Sequence, residues 1–316
     1  MHWRVKGAVQ KVLGVMPGGT ALHYRLQRRF GGLSNFDREL SMKVDDWKIM
    51  IGHLRQTGLR IEDSRLFEIG TGWYPTFPLA CYLAGARRVI TYDLNRHLQP
   101  NLLRACIAGL ERSLELIAQT SGAAEADIRA RYARLQSAIA EGQDLEHATE
   151  GVVHYRAPAD ATRTALDEDE VDVVFSNSVL EHVPPEVIDA MYRESQRILA
   201  PGGLMFHSVN CGDHYAYVDR NIHQLNYLRY SDRQWKYWNN AFLYQNRMRA
   251  HEFVDRAVAM GYEILLDTST ARPQRLQELA EMPVHPQFAS VPAEKLCITS
   301  VDFIARKLGP RPSAVS

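Results

Sequence analysis

Short runs of β-branched and aromatic residues alternate with longer helical segments between residues 65 and 209. Parallel strands need such crossover helices, because short turns can join only antiparallel strands. The alternation therefore predicts an α/β fold with a doubly wound, mostly parallel sheet of the Rossmann-like type. The predicted strands are 65–69, 88–93, 152–155, 171–176 and 204–209, and the predicted helices between them are 77–84, 100–143 and 184–198.

Further elements extend this core at both ends. Apolar residues at helical spacing predict a helix over 36–57, and two more strands are predicted at 262–266 and 297–306 after a helix at 250–260, which makes a seven-stranded sheet. We divide the chain as follows: a helical N-terminal extension at 1–60, a main domain at 61–308, and a Pro/Ser-rich flexible tail at 309–316. Within the main domain we expect a helical insertion at about 100–148 and a substrate cap at about 211–250.

Composition excludes several classes of protein. Lys and Arg number 37 and so do Asp and Glu, so no overall field attracts nucleic acid. No apolar run is long enough to cross a bilayer, and no signal peptide is evident. The basic, amphipathic N-terminus is expected to pack on the protein itself, with peripheral membrane contact as the open alternative. Four dispersed cysteines indicate neither a zinc site nor a disulfide framework and favour the cytoplasm: Cys81, Cys106, Cys211 and Cys297.

A glycine-containing turn, Gly70-Thr71-Gly72, directly follows the first predicted strand. Glycines at such a turn permit positive φ and let the backbone approach a ligand, and open α/β sheets bind ligands at the carboxyl ends of their strands. Asp93 ends the next strand, where its carboxylate can accept hydrogen bonds from both ribose hydroxyls of a nucleoside. Together these residues predict a cofactor that contains a nucleoside.

Two residues beside the turn separate the kinds of cofactor. A dinucleotide site favours G-x-G-x-x-G, with free N–H groups at the helix start for a pyrophosphate, but Pro75 stands at the third glycine position. Glu68, two residues before Gly70, suits a cationic ligand better than a diphosphate. A nicotinamide-dependent oxidoreductase is therefore the less favoured interpretation.

Two later segments, Asp172–Val183 and Ile198–Gly203, complete an ordered set of motifs. On this set the chain resembles the class I S-adenosylmethionine-dependent methyltransferases that act mostly on small molecules. The resemblance implies S-adenosyl-L-methionine as cofactor, with an acid and a glycine turn for methionine, an acid for ribose, an acid beside adenine and a polar end of the fourth strand. The cofactor-binding positions are then Glu68, Gly70, Thr71, Gly72, Asp93, Asp160 and Asn177. Two departures are Tyr74, where a third glycine is frequent, and the long segment after Asp93.

The predicted cap is rich in His, Tyr, Trp, Arg and Asn and follows the fifth strand, so it should cover the carboxyl edge of the sheet. His214 is the first candidate for a general base, with Asp213 to orient it, and His182 and His207 are alternatives. The candidates for acceptor contacts are Tyr215, Arg247 and Arg249. No metal is expected, because Asp213 and His214 lack a full ligand set.

These features predict methyl transfer to a small-molecule acceptor, preferably a hydroxyl oxygen of a glycan or a secondary metabolite. The alternative is a regulatory or partner protein that binds S-adenosylmethionine without transferring its methyl group. Nucleic acid is not an expected partner, since no RNA-binding module is evident.

Overall fold

One seven-stranded sheet organises the protein. The computed structural model describes residues 2–16, 35–240 and 242–309, so most of the predicted tail and part of the N-terminal extension lie outside the described residues. The strands are β1 (Arg65–Ile69), β2 (Arg88–Tyr92), β3 (Val153–Arg156), β4 (Val171–Asn177), β5 (Leu199–Asn210), β6 (Tyr262–Asp267) and β7 (Ser300–Lys307).

The spatial order of the strands is β3-β2-β1-β4-β5-β7-β6. The first five run parallel, while β7 lies antiparallel between β5 and β6. This order confirms the predicted doubly wound, mostly parallel sheet. It also brings the carboxyl ends of β1, β2, β4 and β5 to one edge, where ligands of open α/β sheets bind.

Most helices of the described residues cover the two faces of the sheet, and the others pack with the cap. The helices are α1 (Trp3–Val15), α2 (Phe36–Gln56), α3 (Thr76–Leu83), α4 (Pro100–Leu110), α5 (Leu114–Ser121), α6 (Glu125–Ala140), α7 (Leu145–Ala148), α8 (Pro185–Ile198), α9 (Asp232–Trp238), α10 (Ala250–Ala259), α11 (Pro273–Ala280) and α12 (Ala293–Leu296). Successive strand residues point to opposite faces, so Leu66 packs with the helices α2–α7 and Phe67 packs with α8 and α10. Two apolar cores result, one on each face.

The helical segment between β2 and β3 forms part of the covering layer rather than a separate lobe. Helices α4–α7 bury their apolar sides in the same core as α2 and α3. Ile107, Ile117 and Leu135 are fully or almost fully buried there. The predicted insertion therefore supplies much of one face of the domain.

Strand β5 begins five residues earlier than the sequence predicts. The Pro201-Gly202-Gly203 stretch was expected to separate α8 from the strand, but it lies within β5. The register between β4 and β5 shifts at this point, and Gly202 has a φ of +77°. A positive φ suits glycine, so the stretch is accommodated as an irregularity in the strand instead of ending it.

A third core joins the N-terminal helix to the cap. Trp3 of α1 is 3% exposed and packs against Tyr215 and Trp238, with ring centroids 5.2 and 4.7 Å away. Its backbone N–H donates to the Asp219 carboxylate at 3.0 Å. Helix α1 thus packs on the cap, whereas α2 packs on the sheet. Among the described residues, no helix is both long enough and apolar enough to cross a membrane.

Replacement of Trp3 by alanine should undock α1 from the cap. We expect a loss of about 3–5 kcal/mol, which is typical of a buried Trp→Ala change, and faster hydrogen exchange at the amides of α1. The control is Val12→Ala, because Val12 is 56% exposed on the same helix. Equal exchange protection of α1 in both variants would contradict this docking.

Candidate functional site

The turn after β1 requires glycine for a steric reason. Gly70 has a φ of +88°, and a Cβ on it would lie 2.4 Å from Cγ2 of Val179. Gly72 has a φ of +68°. No larger side chain fits at Gly70 without moving the segment that follows β4. The turn therefore presents bare backbone at the carboxyl edge.

Asp93 closes that turn from the end of β2. Its Oδ2 accepts from the Gly72 N–H at 2.9 Å, and its Oδ1 accepts from the Asn95 N–H at 2.9 Å. Its backbone carbonyl accepts from the Ala159 N–H at 2.8 Å, which brings the exposed Asp160 to the same edge. The structure thus gathers Asp93, Asp160 and the glycine turn in one region.

Glu68 lies buried beneath the turn, with 5% of its surface exposed. The Thr91 hydroxyl donates to its carboxylate, and the Thr71 hydroxyl is hydrogen-bonded to that of Thr91. Burial raises the pKa of Glu68 to about 8. A cation bound beside this carboxyl would favour its ionised form, which is the relationship that a sulfonium or ammonium ligand needs.

Asn177 ends β4 and is held by a residue that sequence reasoning missed. Its Oδ1 accepts from Lys43 Nζ of α2 at 2.8 Å. Asp46, one turn further along α2, lies beside the same amide, and burial raises its pKa. In the sequence, Lys43 is visible only as a polar position directly before the buried Val44 of a helix. Its contact with Asn177 depends on α2 lying across the carboxyl edge of the sheet, which local sequence does not indicate.

A cluster of Glu181, His182 and His214 lies just beyond β4. One ligand-type atom of each residue lies within 4.8 Å of the others, and the His182 and His214 rings are 4.9 Å apart. His182 Nδ1 donates to the Tyr244 carbonyl at 2.6 Å. Burial lowers the pKa of His214 to about 3 and raises that of Glu181 to about 8. The two predicted histidines therefore meet, with Glu181 as a third member that was not predicted.

Two of the predicted catalytic assignments need correction. The Asp213 carboxylate accepts from the Tyr215 N–H and from Asn226 Nδ2, both at 2.8 Å, rather than orienting His214. It caps a short 3₁₀ turn, a common use of Asp at such a position. The alternative base His207 is fully buried within the sheet, and its Nδ1 pairs with the Ser176 hydroxyl at 2.6 Å.

The predicted acceptor contacts are also buried inside the cap. The Tyr215 hydroxyl donates to the Trp238 carbonyl at 3.0 Å. Arg247 donates to two backbone carbonyls, at 2.6 and 2.9 Å, and Arg249 donates to the Cys211 carbonyl at 2.6 Å. Irregular backbone leaves carbonyls that need donors, and a guanidinium supplies five. These residues hold the cap together through internal hydrogen bonds, and their contact with an acceptor stays a prediction.

A polar cavity of about 270 Å³ opens at the carboxyl ends of β4 and β5. Tyr217 and Gln224 of the cap line it, and Asn210 Nδ2 donates to the Tyr217 hydroxyl at 2.6 Å. The Tyr217 ring lies 5.6 Å from that of His214. The remaining lining residues are Ser178, Ser208, Val209, Arg272, Thr299 and Ser300. Several of these follow the predicted cap in sequence, so composition of the cap alone could not reveal them.

The strand order, the glycine turn and the following acid define the class of Rossmann-like methyltransferases. A family model described as a methyltransferase domain matches residues 108–207, from within α4 to within β5. The match identifies a methyltransferase domain within the chain and supports its interpretation as an S-adenosylmethionine-dependent methyltransferase, with S-adenosylmethionine as cofactor. The matched range leaves out Glu68 and Asp93, whose cofactor contacts belong to the proposal below.

Solved structures that match the chain include an S-adenosylmethionine-dependent methyltransferase from Mesorhizobium loti, at 14% identity over 80% of this chain and 95% of that chain, with a TM-score of 0.39. A methyltransferase from Methanosarcina mazei shows 15% identity over 81% and 98%, with a TM-score of 0.45. A geranyl diphosphate methyltransferase in complex with S-adenosylmethionine shows 13% identity over 86% of this chain and 90% of that chain, with a TM-score of 0.45. No curated protein sequence matches the chain. The class assignment therefore rests on the family model and the sheet, not on these neighbours.

Replacement of Glu68 by glutamine should stabilise the cofactor-free protein at pH 8 and change little at pH 4.5. The folded-state pKa, near 8, exceeds the ordinary value of 4.5. The folded protein therefore holds this proton more tightly, and unfolding becomes easier as pH rises from 4.5 to 8. Glutamine does not ionise, so the variant should gain on the order of 2–4 kcal/mol at pH 8.

Urea unfolding at both pH values measures this difference. Exposed Glu115→Gln serves as the control for a lost surface charge. If Glu68→Gln and the native protein followed the same pH dependence, the Glu68 carboxyl would not be protonated in the folded state.

Proposed function

We propose that the enzyme transfers the methyl group of S-adenosylmethionine to a hydroxyl oxygen of a small polar molecule, of the glycan or secondary-metabolite class. The observation that most directly supports this proposal is the polar cavity beside the Glu181–His182–His214 cluster. Both lie at the carboxyl edge of the sheet, where this class binds its cofactor. Its volume suits one sugar-sized group, and its lining offers hydroxyls, amides and one guanidinium.

The cofactor lies, in this proposal, across the glycine turn. Glu68 and the backbone of the turn face the methionine portion, whose positive charge offsets the buried carboxylate. Each Asp93 oxygen already accepts one backbone N–H and keeps acceptor capacity for a ribose hydroxyl. Asp160 stands on the adenine side, and Asn177 stands toward the methyl group.

Methyl transfer is an in-line displacement at the sulfonium carbon. The acceptor oxygen forms a bond to that carbon while the carbon–sulfur bond breaks and its electron pair returns to sulfur, leaving S-adenosylhomocysteine. The hydroxyl proton must leave the acceptor, and the cluster is the set of groups placed to receive or displace it. Alignment by the cavity supplies much of the acceleration.

Loss of the Asp93 carboxylate should weaken cofactor binding. We expect Asp93→Ala to reduce S-adenosylmethionine affinity by about 1–3 kcal/mol, because charge-assisted hydrogen bonds to ribose are lost. Calorimetric titration measures the change, with exposed Asp127→Ala as the matched control. Unchanged affinity in Asp93→Ala would remove this residue from the cofactor site.

Loss of the His214 ring should slow transfer without weakening cofactor binding. We expect His214→Ala to lower turnover by about 10²–10⁴-fold, the usual contribution of a group that handles a proton. The assay is transfer of labelled methyl groups to a panel of hydroxyl-bearing glycans and metabolites, beside a cofactor titration of the same variant. Turnover that survives the substitution would exclude His214.

The same panel separates an enzyme from a regulatory binding protein. Tight cofactor binding by the native protein without transfer to any acceptor class would favour the regulatory alternative. Methylation of an amine instead of a hydroxyl would overturn the oxygen assignment and leave the cofactor assignment intact.

A further inference from the structure

The internal contacts of the protein do not account for the Glu181 carboxylate. The side chain is buried, at 2% exposure. The backbone N–H groups of Glu181 and Asn210 lie near its carboxylate, but neither carboxylate oxygen has a partner at hydrogen-bond geometry. Nε2 of His214 is likewise buried without a partner. Unpaired buried polar atoms cost free energy, and these lie in a cluster whose ligand-type atoms are within 4.8 Å of one another, which indicates a place for a ligand that is not part of the chain.

We propose that Glu181, His182 and His214 bind a divalent transition-metal cation of the zinc type. The donor set is one carboxylate and two imidazoles, which is a set that zinc and its first-row neighbours prefer, whereas magnesium prefers oxygen ligands alone. This binding does not require methyl transfer. Its consequence for the reaction, which rests on the proposed function, is that the bound cation would lower the pKa of the acceptor hydroxyl, whose proton would leave to solvent water instead of to a lone imidazole base.

The geometry needs only a small closure. Tetrahedral ligands at zinc distances lie about 3.4 Å apart, and the three ligand atoms already lie within 4.8 Å of one another. His182 is exposed to solvent, which leaves access for water or an acceptor oxygen as a further ligand. A site of this kind, with three protein ligands and an open position, is typical of catalytic zinc.

Neighbouring groups orient the ligands as an outer shell does in metal sites. His182 Nδ1–H donates to the Tyr244 carbonyl, which leaves Nε2 as the nitrogen with a free lone pair. The Gln245 side chain accepts from the His214 backbone N–H at 3.0 Å. Asn246 donates to the carbonyls flanking the Glu181 turn at 2.7 and 2.8 Å. Three consecutive cap residues thus hold the His182 ring and the backbone that carries His214 and Glu181.

Two positively charged lysines lie near the cluster, and their repulsion of a bound cation lowers its affinity. Lys43 acts electrostatically on Glu181, but its Nζ donates to Asn177. Lys6 of α1 acts on His214. Because each opposes a second positive charge, the inference depends on direct ligation by three groups rather than on general negative potential.

The test is metal binding by the full chain, stripped with a chelator and titrated with Zn²⁺ in the absence of cofactor. We expect one tight site with a Kd below about 1 µM, visible absorption bands with Co²⁺, and no comparable binding of Mg²⁺. Glu181→Gln and His214→Gln should each weaken Zn²⁺ binding at least about tenfold. His147→Ala is the control, because His147 is an exposed imidazole already paired with Asp144.

Circular dichroism and thermal melting show whether each variant folds. Because two different ligand residues are substituted, the test still works if one of the two variants does not fold. Zn²⁺ binding that is weak in the native protein, or that survives both ligand substitutions, overturns the proposal and identifies adventitious binding by surface histidines. Such a result leaves the Asp93 titration unaffected, so failure of the metal site and failure of the methyltransferase assignment are distinguishable.

Discussion

The close approach of Gly70 to Val179 is the constraint on which the functional edge depends. A Cβ at Gly70 would collide with Val179 at 2.4 Å, so the turn after β1 and the segment after β4 touch directly. Ser178 has a φ of +55°, an uncommon value for serine, and it directs the chain into the short turn that carries Glu181. The glycine turn and the Glu181–His182–His214 cluster are therefore parts of one packed unit.

Electrostatics reinforces this coupling. Glu68 and Glu181 are both buried carboxyl groups with raised pKa values, and Lys43 acts on both of them. One ammonium group, itself hydrogen-bonded to Asn177, cannot neutralise two buried carboxylates at close range. Burial therefore keeps both carboxyl groups largely protonated near neutral pH, and a cationic ligand beside either one favours its ionised form. A cationic cofactor would do so at Glu68 and a divalent cation at Glu181, so both proposals rest on buried carboxyl groups that ionise when a cation binds.

Much of the fold was predictable because its signals are local. Each core strand is a short apolar run. Gly70 comes directly after β1 and Asp93 directly after β2, so the sequence places both residues at the same edge of a parallel sheet. The early start of β5 was not predictable, because tolerance of Gly202 within the strand depends on the register with β4. The positions of Lys43 and Glu181 relative to Glu68 likewise depend on tertiary packing, which no local period encodes.

The cap shows why the acceptor side resisted prediction. A segment rich in arginine and tyrosine looks the same in sequence whether these side chains bind a ligand or donate to buried carbonyls. Arg247 and Arg249 donate to buried carbonyls. The cavity instead takes Arg272 from beyond the cap and Ser178 from the segment directly after β4. Residues from such distant segments can change independently of the glycine turn. Gly70 and Asp93 lie directly after predicted strands, whereas the cavity is lined from segments far apart in sequence, so local motifs predict the cofactor side and do not predict the acceptor side.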